Sequence, residues 1–456
     1  MKTPELLSPA GSLKNMRFAF AYGADAVYAG QPRYSLRVRN NEFSKEAVLA
    51  QGIEEAHARG KRFFLASNLA PHNNKVRTYL ADLEPIVAMG PDALIMSDPG
   101  LILMVRERWP DLPIHLSVQA NAVNYATVRF WQKMGLARVI LSRELSLKEV
   151  AEIRAECPGI ELEVFVHGAL CIAYSGRCLL SGYLSHRDSN QGACTNTCRW
   201  KYQAHEARET DTGDVIPVHT VNGQDAIDDD PPVMLLEEET RPGELMPAYE
   251  DEHGTYIMNS KDLRAVQHVH ELAAMGIDSL KIEGRTKSFY YTARTAQVYR
   301  RAIDDAAAGR PFDMGMMDEL EGLANRGYTE GFYRRHPPGE YQNYERGASR
   351  SDRQQFVGDI VDRDGDWLTV DVRNRFEAGD TMELVTPSGN LRFTLPEIIG
   401  RDGRSTNTAP GSGHVVKIPL PEEAAALPIG EFALLVRYLP EVRAAEAASA
   451  TLSNRV

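Results

Sequence analysis

Arg138-Val139-Ile140-Leu141-Ser142, Ser146-Leu147-Lys148-Glu149-Val150 and Leu162-Glu163-Val164-Phe165-Val166 follow one another through the chain. The first and third are nearly continuous apolar runs of strand length, the pattern of strands covered on both faces. The second opens a helix. Ser146 and Glu149 have the spacing of a capping box, and Val150 and Ile153 fall on one inner side. Working outward, the same unit recurs. Strand-like runs lie at 4–8, 25–29, 62–67, 92–96, 114–118, 138–142, 162–166 and 279–283. Ser12 and Ser44 are further N-cap candidates, and Gly60 and Gly135 are helix stops. Eight runs with helical crossovers predict an α/β fold, a TIM-like (β/α)8 barrel in which every strand is buried. Residues 256–258 form a ninth strand-like run. It reads as the lead-in to a helix over 261–275, with a barrel strand as the alternative.

Between the seventh and eighth runs lie more than 100 residues, far beyond ordinary loop length. The first part, 170–202, carries Cys171, Cys178, Cys194 and Cys198. The second part is acidic. From His205 to Glu252 there are fifteen acids against two bases, Arg208 and Arg241, a local balance of −13; the chain carries −12, so all other residues together carry +1. Runs such as Asp228-Asp229-Asp230, Glu237-Glu238-Glu239 and Glu250-Asp251-Glu252 read as a solvated, mobile insertion. The acidity is therefore local, and the rest of the surface can still present a basic face to RNA.

After Glu283 the pattern is helical over 288–308 and 316–324. From Gln355 it alternates, with Asp364-Gly365-Asp366 and Ser388-Gly389-Asn390 as hairpin turns. Five or six short strands predict a small C-terminal antiparallel β-barrel. The domain division is a barrel over 1–335 with the cysteine and acidic insertion at 170–255, a small β-barrel at 350–440, and a tail at 441–456. The N-terminus has no apolar core of signal-peptide length, and no uncharged apolar stretch approaches ~18 residues. The expectation is a cytoplasmic protein with neither a membrane nor a DNA partner. In that compartment thiols stay reduced, and clustered cysteines suggest a metal centre or redox chemistry before disulfides.

The cysteine spacing is C-x6-C-x15-C-x3-C, using four of the five cysteines in the chain. It contains no C-x2-C knuckle or redox pair. Four thiolates in irregular context suit the soft irons of a [4Fe–4S] cluster. Gly168, Gly176, Gly182 and Gly192 would let the backbone bend around it. Spacing alone leaves three readings open, in this order: iron–sulfur, zinc, and unligated buried thiols. Cys157, before Pro158, reads as a bystander. His167, Gly168 and Cys171 directly follow the seventh strand, and active sites of such barrels lie at the C-terminal strand ends.

The same rim carries Ser8, Tyr28, Arg33, Asn68, Gln119, Asn121, Arg143, Lys281, Glu283 and Arg285. Each alone is more often a satisfied hydrogen bond or ion pair than a functional group. Together they suit a polar ligand with carboxylates, which guanidinium forks grip. There is no Walker A sequence and no G-x-G-x-x-G after a strand. His270-Glu271 is not followed by a histidine at Ala274, and no G-x-S-x-G elbow occurs. A conventional protease has little support.

The stretch Val164-Phe165-Val166-His167-Gly168-Ala169-Leu170-Cys171-Ile172-Ala173-Tyr174-Ser175-Gly176-Arg177-Cys178-Leu179-Leu180-Ser181 resembles the signature of the U32 peptidase family. Leu6-Leu7-Ser8-Pro9-Ala10-Gly11 and Ser279-Leu280-Lys281-Ile282-Glu283-Gly284-Arg285 are similar to its opening and closing barrel segments. Asp25 through Arg37 and Asn190-Gln191-Gly192 are similar to its tRNA-acting branch. The resemblance covers essentially the whole chain. It implies an iron–sulfur enzyme that hydroxylates the wobble uridine of tRNA to 5-hydroxyuridine without molecular oxygen, with prephenate as oxygen donor. Carried over by position, the ligands of a [4Fe–4S] cluster are Cys171, Cys178, Cys194 and Cys198. In this frame His167, Tyr174, Lys281 and Glu283 are the catalytic candidates. Arg33, Arg37, Asn68, Gln119, Asn121, Arg143 and Arg285 are the substrate-binding candidates. The implied partners are tRNA, prephenate, and proteins that donate electrons or load the cluster. The small C-terminal barrel resembles the second-domain barrels of translation factors, an analogy that suggests RNA contact. Two rivals are kept: a U32-type, collagenase-like peptidase, and a zinc-pinned RNA-binding protein without catalysis.

Overall fold

The computed structural model describes residues 2–35, 41–69, 71–169, 202–209, 215–217, 233–238, 245–251, 254–257, 262–284, 287–325, 327–334, 353–425 and 427–439. Eight strands close a parallel barrel: β1 (Glu5–Pro9), β2 (Ala26–Gly30), β3 (Arg62–Ser67), β4 (Ala93–Met96), β5 (Ile114–Leu116), β6 (Arg138–Ile140), β7 (Glu161–Ala169) and the strand Ser279–Ile282, which pairs with both β7 and β1. All eight sequence runs are therefore barrel strands. The fifth ends earlier than expected, because residues 118–120 turn into a 3-10 helix.

The helix ends follow local chemistry. Ser12 accepts from the Asn15 N–H at 3.1 Å at the start of Leu13–Ala21. Ser146 and Glu149 form the reciprocal capping box of Leu147–Glu156. Ser44 is not a helix cap. It closes a 3-10 turn, and Lys45 stands at the cap position of Glu46–Ala58 without a side-chain bond. Phe289–Ala307, capped by Ser288, buries one long face against the helices Leu13–Ala21 and Val269–Met275. Among the described residues no helix is long and apolar enough to cross a membrane.

The described residues of the acidic segment are strands, which its charge does not suggest. Five strands, β8 (Tyr202–Glu209), β9 (Val215–Pro217), β10 (Val233–Glu238), β11 (Leu245–Asp251) and β12 (Gly254–Ile257), form an antiparallel sheet in the order β12-β11-β10-β8-β9. High average acidity hides a short apolar run, Val233-Met234-Leu235-Leu236, which pairs with Met246-Pro247-Ala248-Tyr249 across β10 and β11. The ninth run thus belongs to this sheet and not to the barrel. The helix expected over 261–275 starts later: β13 (Asp262–Arg264) runs antiparallel beside β7, and helical turns begin at Val266. With Ser279–Ile282 as β14, a short β15 (Tyr328–Thr329) pairs with β13.

The chain divides into two compact units, Met1–Met317 with Asn325–Arg350, and Asp318–Ala324 with Ser351–Val456. Among its described residues the C-terminal unit holds ten strands instead of five or six, eight in one antiparallel sheet and two in a ribbon. Val357, Leu368, Val370, Leu384, Ile418 and Leu435 lie in its core. Its long strand Gln354–Asp364 shifts register twice, and these irregularities let it bend between two neighbours. Gly358 sits at the first shift. A Cβ there would lie 2.6 Å from the Val370 side chain and 2.7 Å from the Asp371 carbonyl. The tail at 441–456 lies outside the described residues.

Candidate functional site

Residues paired in parallel register point to the same side of a sheet, so the barrel interior can be followed strand by strand. Glu5 pairs Ser279, Leu7 pairs Lys281, Tyr28 pairs Phe64, His115 pairs Arg138, Ile140 pairs Glu163 and Lys281 pairs Phe165. These residues face inward. The lower interior is charged where branched apolar residues usually dominate. Arg138 Nη1 lies 2.6 Å from Glu5 and 2.9 Å from Glu163, and its Nη2 2.7 Å from Glu161. Arg62 pairs with Glu5. Lys281 Nζ is 2.8 Å from Glu163 and 4.2 Å from the Tyr28 ring centre. Burial alone would raise the Glu163 carboxyl, but Lys281 and Arg138 outweigh it and hold the group at about 2. Burial and the Arg138 charge push His115 well below its ordinary value, so it stays neutral. Lys281 is thus tied into an interior ion network one residue short of the strand end.

Above this column lies a polar layer at the C-terminal mouth. Asn68, Ser97, Ser117, Ser142 and Glu283 continue the inward parity of β3, β4, β5, β6 and β14. Asn68 Nδ2 donates to Ser117 Oγ at 3.3 Å, and Ser97 Oγ donates to the Asn68 carbonyl at 3.0 Å. Arg143 reaches Glu283 at 3.3 Å and lies 3.7 Å over the Phe165 ring.

At the end of β7 the register with β14 shifts between Lys281 and Ile282. His167 there sits among the rings of Tyr291, Tyr299 and Tyr328, with centroids 5.4–5.8 Å away. Tyr299 Oη donates to the Val166 carbonyl at 2.6 Å and lies 3.3 Å from His167 Nδ1. With that proton committed, Tyr299 accepts from Nδ1–H, and Nε2 is the unprotonated nitrogen. Nε2 is buried with no partner among the described residues. Burial first, then Lys287 and Arg264, lower the imidazole to about 3. A base this weak is a poor proton carrier at neutral pH, which argues against the proton-moving role expected of it. Its ring signals in NMR should not titrate between about pH 5 and pH 9, where an ordinary histidine does. The depressed value also makes His167 favour the folded state above about 6.5. That contribution is lost as pH falls from there toward about 3.

Gly168 carries the chain out of this bend with φ +98°, and a Cβ there would lie 2.1 Å from the Glu283 carbonyl. Only glycine passes, and the strand then ends at Ala169 beside the mouth. Cys171, Cys178, Cys194, Cys198 and Tyr174 follow outside the described residues, as do Arg37 and Arg285. Among the described residues no three His, Cys, Asp or Glu side chains are grouped to hold a metal. Of the five cysteines, Cys157 lies among the described residues. Cys157 does not serve: it is buried, bonded to the Tyr125 carbonyl at 3.5 Å, and burial raises its thiol.

The remaining rim candidates are separated. Arg33 has the left-handed backbone, φ +69°, and pairs with Asp82 at 3.0 Å. Asn121, φ +53°, ends the 3-10 turn that carries Gln119. At the mouth Arg143 meets Glu283, and Asn68 meets Ser117. Ser8 is buried on the outer face, opposite to Leu7. Sequence reasoning missed Glu163, Arg138 and Glu5, although charges two apart within apolar strands were a legible signal. It also missed Tyr291, Tyr299 and Tyr328, which come from distant segments and left none.

Residues 11–343 match the model of Peptidase family U32, and residues 352–429 match that of the Peptidase family U32 C-terminal domain. The chain is 62% identical over 445 residues to tRNA hydroxylation protein P of Escherichia coli (strain K12), covering 96% of this chain and 97% of that one. It is 60% identical over 450 residues to tRNA hydroxylation protein P of Haemophilus influenzae, covering 96% of each. A more distant relative, the 23S rRNA 5-hydroxycytidine C2501 synthase of Escherichia coli, is 27% identical over 84% of this chain and 52% of that one. With both of its units matched and such relatives along its length, the chain belongs to the U32 peptidase family.

Proposed function

We propose that this protein is a tRNA-modifying enzyme that converts the wobble uridine to 5-hydroxyuridine without molecular oxygen. The observation that carries the reading is the 62% identity to tRNA hydroxylation protein P across nearly the full length of both chains. The likeness to a 5-hydroxycytidine synthase supports pyrimidine hydroxylation as the chemistry. Cys171, Cys178, Cys194 and Cys198 would hold a [4Fe–4S] cluster, and prephenate would donate the oxygen atom. Bound there, the cluster would supply one-electron chemistry beside the mouth. Replacing C5–H by C5–OH removes two electrons from the base, so the oxygen donor must be reduced in the same cycle. An electron donor or cluster-loading protein, and a cytoplasmic location, belong to the same proposal.

The chain's own residues contribute position. Gly168 lets β7 run out to Ala169, just ahead of the cysteine segment in sequence, and Glu283 fixes Arg143 at the mouth. The test is complementation. In a strain lacking both the matching relative and the oxygen-dependent route, this chain should restore wobble 5-hydroxyuridine, read by mass spectrometry of digested tRNA. Unmodified tRNA despite soluble expression would refute the reading.

A further inference from the structure

Two atoms of the mouth layer are buried without a partner among the described residues, Ser142 Oγ and Arg143 Nε. Leaving a buried polar group unsatisfied is costly, so such atoms mark where a partner can enter. The charge of that partner follows from what surrounds it. Arg143 is already compensated by Glu283, and Lys281 beneath it by Glu163. An anion entering the layer would sit beside the Glu283 carboxylate. Apart from the compensated Arg143–Glu283 pair, which adds one guanidinium N–H, the described residues offer neutral groups: the hydroxyls of Ser117 and Ser142 and the amide of Asn68. Hydroxyls and amides both donate and accept, so they match a ligand whose edge alternates donors and acceptors. A uracil edge, carbonyl, N–H, carbonyl, has that character. The guanidinium is held flat on Phe165 at 3.7 Å, which fixes the direction of its N–H.

From this the geometry points to the mouth layer of Asn68, Ser117, Ser142 and Arg143 as the receptacle of the target nucleobase, a neutral pyrimidine everted from the RNA. This rests on the tRNA reading above and deepens it. The base occupies the barrel mouth, and a carboxylate-bearing co-substrate binds elsewhere. Enzymes that alter a base commonly take it out of its stack, and a dry, polar-lined pocket rewards that step.

The test uses the anaerobically purified full chain and dye-labelled anticodon stem-loops with uridine or an abasic site at the wobble position. Fluorescence anisotropy should show the wild type binding the uridine loop ~10-fold more tightly than the abasic one, the worth of one or two hydrogen bonds. Ser142→Ala and, separately, Arg143→Lys should narrow that ratio to ~3-fold or less. Affinity for the abasic loop should stay within ~2-fold. Thermal melting identifies any variant that fails to fold, and the other variant then decides. Full uridine preference in a folded variant would overturn the assignment, and so would a wild type indifferent to the base, as when the layer holds only water. Prephenate displacing the uridine loop but not the abasic one would put the co-substrate in the mouth and overturn it as well. Failure of the tRNA reading is distinguishable, because the wild type would then not restore 5-hydroxyuridine in the deletion strain.

Discussion

Glu163→Gln should lower the stability of the barrel by ~3–5 kcal/mol, the usual cost of removing one partner from a buried ion pair. The carboxylate is fully buried and is shared by Arg138 at 2.9 Å and Lys281 at 2.8 Å. Glutamine keeps the shape and one hydrogen bond but removes the charge. Arg138 then keeps the Glu5 and Glu161 carboxylates, the latter partly exposed, while Lys281 loses the Glu163 charge. The loss should appear as a lower urea midpoint with the slope unchanged. Adding Lys281→Met should recover part of it, because the second change removes the stranded charge. The acid limb should respond too. The folded carboxyl lies at about 2 against an ordinary 4.5, so its contribution is complete above 4.5 and disappears as pH falls toward 2. The variant should lack that part of the acid dependence. A loss under ~1 kcal/mol would mean that the column is solvated and not a buried network.

The second large effect concerns the cysteines. Cys171→Ala, Cys178→Ala, Cys194→Ala and Cys198→Ala should each abolish 5-hydroxyuridine formation, by at least ~100-fold. Changes to groups merely supporting a ligand already cost ~10–100-fold in metal affinity or activity, and a lost ligand costs more. The same variants should lose iron during anaerobic purification. Cys157→Ala is the control and should retain both, since its thiol is buried and bonds the Tyr125 carbonyl. Full activity in a Cys171 variant would remove the main reason to connect the cysteine segment with chemistry.

The barrel was legible because parallel strands buried on both faces leave apolar runs that survive in one dimension. The capping box at Ser146 and Glu149 was legible for the same reason: it is a local interaction with fixed spacing. Three features were not. The sheet of β8–β12 escaped because acidic residues between and along its strands swamp Val233–Leu236 in any average over the segment. Asp262–Arg264 escaped because three residues are too few for a periodic signal, and its strand identity comes from pairing with His167 through Ala169. The cage around His167 escaped because Tyr291, Tyr299 and Tyr328 meet it only through the fold. For the site, rim position was readable from strand ends, but which rim residues converge was not. Arg143 meets Glu283 and Asn68 meets Ser117 at the mouth, while Arg33 is occupied by Asp82. Lys281 looked like a rim group because it is one residue from a strand end, yet strand alternation turns it inward onto Glu163.

The proposed hydroxylation would depend on iron and sulfide held by Cys171, Cys178, Cys194 and Cys198. The direct measurement is iron and acid-labile sulfide content of the full chain purified without oxygen, paired with its rate of 5-hydroxyuridine formation on unmodified tRNA. The account predicts about four irons and four sulfides per chain, with activity rising in proportion to that content. Preparations free of iron that hydroxylate tRNA at the full rate would contradict it.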